Sequence, residues 1–386
     1  LGEAQHLYET GRDSILAGLG LFDRERQNVE AGQAWAAVRA SHNPDAARLC
    51  NAYPDAGAYV ISLRLHPRAR IAWLEAALAA ARSLGDREME GMHLTNLGGA
   101  YHTLGEVQKA IGYYEEALKI DREIGDRRGE GADLGNLGLA YADLGEVQKA
   151  IGYYEQQLTI TREIGDRRGE GIALGNLGLA YTDLSEVQKA IGYFEQALVI
   201  DREIGDRRGE GTALGNLGVA YARLGEVQKA IGYYEQALAI DRETGDRRGE
   251  GIALGNLGLA YADLGEVQKA IGYYEQKLTI TREIGDRRGE GNALYNLGIA
   301  YADLGEVQRA IGYYEEALKI MRKIGDRRGE GNASWNLGLI DEKQGDLVRA
   351  VALMQVLVDY ERAIGHPDAE KHAARVEEIR RPMAGG

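Results

Sequence analysis

Seven asparagines stand forty residues apart: Asn96, Asn136, Asn176, Asn216, Asn256, Asn296 and Asn336. A side-chain amide carries both donors and an acceptor, so a regular row of them can grip an extended chain whatever its sequence. A row of arginines keeps the same period: Arg128, Arg168, Arg208, Arg248, Arg288 and Arg328. Guanidinium groups hold carboxylates through charge-assisted, often bidentate hydrogen bonds, so this row favours an acidic ligand.

Residues suited to catalysis are not arranged for it. A phosphate-binding loop needs a glycine-rich turn that follows a strand and ends in Lys-Ser or Lys-Thr, and no such string occurs. The run Gly209-Glu210-Gly211 with Gly215 has the wrong spacing for a nucleotide fingerprint and opens a helix that follows a helix. Flexible helix starts explain it better. The seven histidines are scattered, and no His or Cys pair has metal-ligand spacing, so neither a metal nor a cofactor is expected. His366-Pro367-Asp368 reads as a turn with proline at the first helical position. The many carboxylates read as a solvated face. The chain is expected not to be an enzyme.

Composition narrows the partners. Lys and Arg total 46 against 60 Asp and Glu, a formal charge of -14, which disfavours nucleic acid and anionic membrane surfaces. Cys50 is the single cysteine, so no disulfide framework forms within the chain, in keeping with a reducing, cytoplasmic setting. No signal peptide and no bilayer-length apolar run stand out. The chain starts at Leu1 without methionine and ends on Gly385-Gly386, so a fragment of a longer protein is expected.

The elements that must carry the two rows follow from the same period. The stretch 211–250 falls on itself almost letter for letter when slid by forty residues, the signature of a solenoid. In each unit the first helix bears an apolar stripe, as in Leu214, Leu217, Ala220 and Tyr221. Leu224-Gly225 closes it. The second bears Ala230, Ile231, Tyr234, Ala237, Leu238 and Ile240. At Gly245-Asp246 the glycine ends one helix and the aspartate caps the next. With Leu217 and Tyr221 toward the core, Arg208, Thr212, Asn216, Val219 and Arg223 fall on the opposite side of their helix.

These letters resemble the tetratricopeptide family. Its pattern of leucine-glycine, tyrosine, alanine, aromatic and alanine stands here as Leu217, Gly218, Tyr221, Ala230, Tyr234 and Ala237, and the likeness covers residues 91–365. The unit departs from the family's usual thirty-four residues by being forty long, with the extra residues lengthening the helices near Gly245-Asp246. Such units are similar to those of Pins/LGN-type adaptors and of many bacterial sensor proteins. The resemblance implies an all-α fold, a right-handed superhelical solenoid of antiparallel helix pairs. It also implies that the asparagine face of the first helices lines a concave channel where an extended peptide binds. The family's carboxylate clamp puts a lysine four residues before the asparagine. That lysine is missing from every unit, so a chaperone C-terminus is not the expected ligand.

Two readings of the asparagines stand, peptide contact or repeat consensus on a wet surface, and the arginines either meet ligand or pair with Glu210-type neighbours. Site by site the groove face varies while the core does not. Four residues before the asparagine come Met92, Ala132, Ile172, Thr212, Ile252, Asn292 and Asn332, and seven after it come Thr103, Asp143, Asp183, Arg223, Asp263, Asp303 and Lys343. Tyr295 and Trp335 stand where earlier units have glycine or, in the first unit, Thr95, either as ligand anchors or as packing for the C-terminal cap.

Four segments are expected: 1–65 as a helical N-terminal cap, 66–90 as a degenerate half repeat, 91–365 as seven units, and 366–386 as a C-terminal capping helix and tail. Residues 1–65 read as helices with apolar periodicity around Ile15, Leu19 and Phe22, then Trp35, Ala36 and Leu49. The segment LFDRERQNVEAGQAWA and the HPRARIAWLEAAL that follows resemble the stretch joining ATPase and repeats in bacterial STAND-type signalling NTPases. That resemblance implies a ligand-sensing array with an ATPase domain upstream in the same full-length chain. A constitutive Pins/LGN-type scaffold is the alternative.

Overall fold

A computed structural model describes residues 1–10 and 13–384 of the chain. Among the described residues every regular element is helical, and the chain divides into two compact units, residues 1–200 and 201–386. In the first unit, α1 (Gly2–Thr10), α2 (Asp13–Arg39), α3 (Pro44–Ala52), α4 (Ala58–Arg64) and α5 (Pro67–Leu84) precede the pairs α6 (Arg87–Thr103) with α7 (Val107–Ile124) and α8 (Arg127–Asp143) with α9 (Val147–Glu163). Then come α10 (Arg167–Asp183) and α11 (Val187–Ile204), the unit boundary falling inside α11. The second unit holds α12 (Arg207–Arg223), α13 (Val227–Thr244), α14 (Arg247–Asp263), α15 (Val267–Glu283), α16 (Arg287–Asp303), α17 (Val307–Ile324), α18 (Arg327–Gln344), α19 (Leu347–Ala363) and α20 (Ala369–Ala384).

The junctions that set this alternation are local chemistry. Gly245 closes α13 with φ 71°, a left-handed conformation open to glycine at little cost. Asp246 then caps α14, its Oδ1 accepting the Gly249 amide at 2.9 Å. Such a cap contributes about 1 kcal/mol, and one aspartate does this at each unit start from Asp86 to Asp326. The turn within a unit also needs a left-handed residue, which is glycine except at Ser185, where φ is 61°.

Packing depends on one missing methyl. A Cβ built on Gly218 would lie 2.4 Å from the Tyr234 ring, so only glycine lets α12 and α13 close over that aromatic. The same glycine meets Tyr114, Tyr154, Phe194, Tyr274 and Tyr314 in five other units, and Met354 in the last. Leu214, Leu217, Ala220 and Tyr221 are buried as the stripe requires, together with the six apolar residues named for the second helix. At the edge of this core, six tyrosine pairs stack at 5.3–5.4 Å, from Tyr101 on Tyr113 to Tyr301 on Tyr313. A cation covers the first ring of each, as Lys229 does 3.7 Å from the Tyr221 centroid.

Beneath the helix starts lies a row of buried carboxylates. Glu210 is 6% exposed, and its Oε1 accepts from Arg202 Nε at 2.8 Å while its Oε2 accepts from Arg207 Nη1. Charge-assisted bonds from two sides make the burial of such a carboxylate tolerable. At Glu90, burial alone would raise the carboxyl's pKa, and hydrogen bonds from Arg82 and Arg87 outweigh it and hold the value below the ordinary range.

The N-terminal segment packs around Leu19, Phe22, Val60, Ile61 and Trp73. Ala36 is buried as its spacing suggests, whereas Trp35 and Leu49 face solvent at 46% and 44% exposure. Trp35 instead lies under the Arg39 guanidinium, 4.9 Å from the ring centroid. Pro367 sits in the turn before α20, two residues ahead of the first helical position, where His366 Nδ1 accepts the Asp368 amide.

Candidate functional site

Each asparagine of the row stands in the middle of a first helix, half-buried, with the leucine after it fully inside. Among the described residues, no side-chain hydrogen bond engages Asn96, Asn136, Asn176, Asn216, Asn256 or Asn296. Asn336 differs, because its Nδ2 donates to the Tyr295 hydroxyl at 3.1 Å.

The six arginines of the second row are all exposed. Arg128, Arg208, Arg248, Arg288 and Arg328 form no ion pair among the described residues. The buried Glu210-type carboxylates are taken instead by the residue one earlier in sequence, Arg127 to Arg327, and by Arg122-type residues from the preceding helix. Adjacent arginines therefore have separate work. The first ties units together and the second faces out.

The rows meet in concavities between consecutive first helices. Between α8 and α10 lies a cavity of 540 Å³ where Arg128, Arg168, Asn136 and Asn176 converge with Leu139 and Ile172. Between α12 and α14 a smaller one of 280 Å³ brings together Asn216, Asn256, Arg248 and Ile252. Leu139, Ile172 and Ile252 are about half exposed there. At the other end of the first helices stand Asp143, Asp183, Asp263 and Asp303, about 22 Å from the arginine end at 1.5 Å per residue. Each of these four first helices thus carries a basic start and an acidic end. Arg223 and Lys343 reverse the sign in two units, and both are exposed.

Tyr295 and Trp335 take different positions. Tyr295 is half-buried against Tyr314, ring centroids 5.8 Å apart, and burial raises its pKa above the ordinary range. Trp335 lies 4.6 Å from the His372 ring of the C-terminal helix and packs, as Leu339 and Leu347 do, against the buried cluster that includes Met354 and Val376.

Three polar residues of this region escaped the sequence reading. Gln157, 6% exposed, and half-buried Lys277 occupy the second-helix position that is Ala117, Ala197, Ala237 and Ala317 elsewhere. Fully buried Asp133 stands where later units have Ala173, Ala213 and Ala253. Thr95 donates to Asp133 at 2.6 Å, and burial pushes Asp133 up to about 8, with Asp121 beside it raised to about 6. Reading those two columns across the units would have singled them out.

No group of His, Cys, Asp or Glu among the described residues is placed to hold a metal, and none of their helices is long and apolar enough to cross a membrane.

A solenoid of forty-residue helix pairs with an outward amide row defines a repeat scaffold. The chain belongs to the tetratricopeptide repeat family, whose model matches residues 71–123, 132–203, 172–243, 209–283 and 289–359. No curated protein matches it in sequence. Among solved structures it is similar to the signal transduction ATPase with numerous domains, bearing a tetratricopeptide repeat sensor, from Pyrococcus horikoshii. That likeness has 18% identity and a TM-score of 0.64, and it covers 96% of this chain and 56% of that one. The apo form of RapI is similar at 19% identity and TM-score 0.58, covering 72% of this chain and 99% of that one. The apo quorum sensor NprR from B. thuringiensis is similar at 16% identity and TM-score 0.52, covering 79% and 93%.

Proposed function

We propose that this chain is a non-catalytic binding array that holds an extended acidic peptide or protein segment across its first-helix face. The observation that carries the reading is the row of six asparagine amides, half-buried and unengaged by the protein, beside the exposed Arg128, Arg208, Arg248, Arg288 and Arg328, which form no ion pair among the described residues. The amides take the ligand backbone. The arginine edge draws acidic side chains inward against a body of charge -14.

The finer reading is the sensor part of a STAND-type signalling NTPase, in which the ligand is the trigger. It is supported by the fold likeness to the Pyrococcus horikoshii protein, which reaches across nearly this whole chain. A phosphate-binding loop encoded upstream of Leu1 in the gene is the expected finding. An upstream region without one would leave a constitutive scaffold as the better account.

Binding is tested with displayed acidic peptides against the full chain. The triple change Asn176→Ala, Asn216→Ala and Asn256→Ala should weaken capture at least tenfold, at about 1 kcal/mol per lost hydrogen bond. Exchanging Arg208 and Arg248 for glutamate should weaken it further and flatten its salt dependence. Gln228→Ala, on an exposed site of a second helix, should change nothing. If Gln228→Ala abolished capture and the asparagine changes did not, the first-helix face would be the wrong surface.

A further inference from the structure

We infer that the cavity between α8 and α10 is a side-chain receptor, in which Gln157 reads a primary amide, a glutamine or asparagine, on the bound peptide. The inference rests on the first-helix face being a peptide groove and names what one part of that groove selects.

Gln157 reaches the cavity from α9 through a gap in the first helix. A Cβ placed on Gly135 would lie 2.6 Å from its Nε2 and 2.9 Å from its Oε1, so the glycine is what lets the amide lie there. The side chain is 6% exposed, lines the 540 Å³ cavity, and its Oε1 is buried with no hydrogen-bond partner. A buried amide oxygen without a donor is a cost that alanine at the same position does not incur. Alanine is what Ala117, Ala197, Ala237 and Ala317 supply.

The missing partner has defined chemistry. It must donate to Oε1. A carboxylate cannot, and an ammonium or guanidinium would sit against Arg128 and Arg168, two cations set against the single wall carboxylate Asp166, whose Oδ1 already accepts the Gly169 amide. A primary amide donates through its NH₂ and accepts through its oxygen, so it pairs with Gln157 whichever way round that amide is turned. Leu139 and Ile172 flank the opening and suit the methylene stem of a glutamine. Asn136 and Asn176 remain for the peptide backbone on either side.

A contrast lies at the same position three units on. There Lys277 fills the Gly255 gap, its Nζ 2.7 Å from where a Cβ would stand, and no acidic side chain pairs with it among the described residues. Exchanging Gln157 for lysine therefore copies a variation the chain already carries.

The test is selection of displayed hexapeptides, one random position flanked by Glu and Asp, on the full chain and on Gln157→Ala and Gln157→Lys. On the unaltered chain Gln and Asn should be enriched over Ala on the order of tenfold at the random position, the value of about one buried hydrogen bond. Gln157→Ala should lose that preference without lowering the thermal midpoint, since four other units carry alanine there and the unpartnered amide oxygen goes with the side chain. Gln157→Lys should turn the preference to Glu and Asp. Equal enrichment of Gln on the unaltered chain and on Gln157→Ala would overturn the assignment while leaving the groove. Failure of the unaltered chain to enrich any peptide would overturn the groove reading, and this inference with it.

Discussion

Asn336 donates its side-chain hydrogen bond to the hydroxyl of Tyr295, forty-one residues earlier and one helix pair away. The last member of the asparagine row is thereby spent inside the protein, while Asn256 and Asn296 are not. Asn336→Ala should cost about 1 kcal/mol of stability, and Asn256→Ala should stay within about 0.5 kcal/mol. Tyr295→Phe should reproduce the loss at Asn336. Denaturant titration followed by circular dichroism reads all three, and equal losses at Asn256 and Asn336 would refute the distinction.

The adjacent residues Arg207 and Arg208 should matter very unequally to stability. Replacing Arg202 and Arg207 together with alanine strips both partners from buried Glu210, and such a carboxylate left alone costs about 3–5 kcal/mol. Arg208→Ala removes an exposed side chain and should change stability by less than about 0.5 kcal/mol. Because a repeat array need not unfold as a single unit, amide hydrogen exchange across α12 and α13 is the fitting measurement. Similar deprotection in both variants would count against the two-sided grip on Glu210.

Ser185 is the single non-glycine residue with positive φ among those described, at a turn that six other units form with glycine. Holding a residue with a Cβ in that conformation costs about 1 kcal/mol. Ser185→Gly should therefore raise stability by roughly that amount without altering binding. A lower thermal midpoint for the variant would mean that the serine contributes more than its backbone angle takes away.

Asp133 makes the first unit sensitive to pH. Its ordinary value is 3.8, and burial, opposed by the Thr95 hydrogen bond and reinforced by Asp121, lifts it to about 8 in the fold. The native state thus holds the proton where the unfolded chain has lost it. The associated stability is fully present below pH 3.8 and is lost as pH rises through about 8. Asp133→Ala, the residue of five later units, should raise the thermal midpoint at pH 8.5 by about 4 °C or more and flatten its pH dependence. An unchanged slope between pH 5 and pH 8.5 would place the titration elsewhere.

The repeat made most of the fold legible. The stripe Leu214, Leu217, Ala220 and Tyr221 names the core because helical spacing leaves it no other face, and Gly245-Asp246 names its junction because few residues suit those angles. The candidate face was half legible. Spacing from Leu217 puts Asn216 and Arg208 outward, but it cannot say which of two neighbouring arginines meets Glu210, since both positions lie at the helix start and the choice depends on a preceding helix. Trp335 and Trp35 were unreadable for a similar reason. An aromatic's role depends on what lies opposite, and here that is His372 and Arg39, from parts of the chain that do not repeat or from the same helix.

The stacked tyrosine pairs give the protein an uneven optical character. Six of them recur along the repeats, whereas the three tryptophans are Trp35 and Trp73 near the start and Trp335 in the last helix pair. Excited at the red edge, where tyrosine is silent, the chain emits from its two ends alone. Near-ultraviolet dichroism, fed by rings held parallel within 4–9°, reports the repeats between them. Fraying from the ends would then dim or shift the emission before the tyrosine dichroism fades, and melting from the middle would reverse that order.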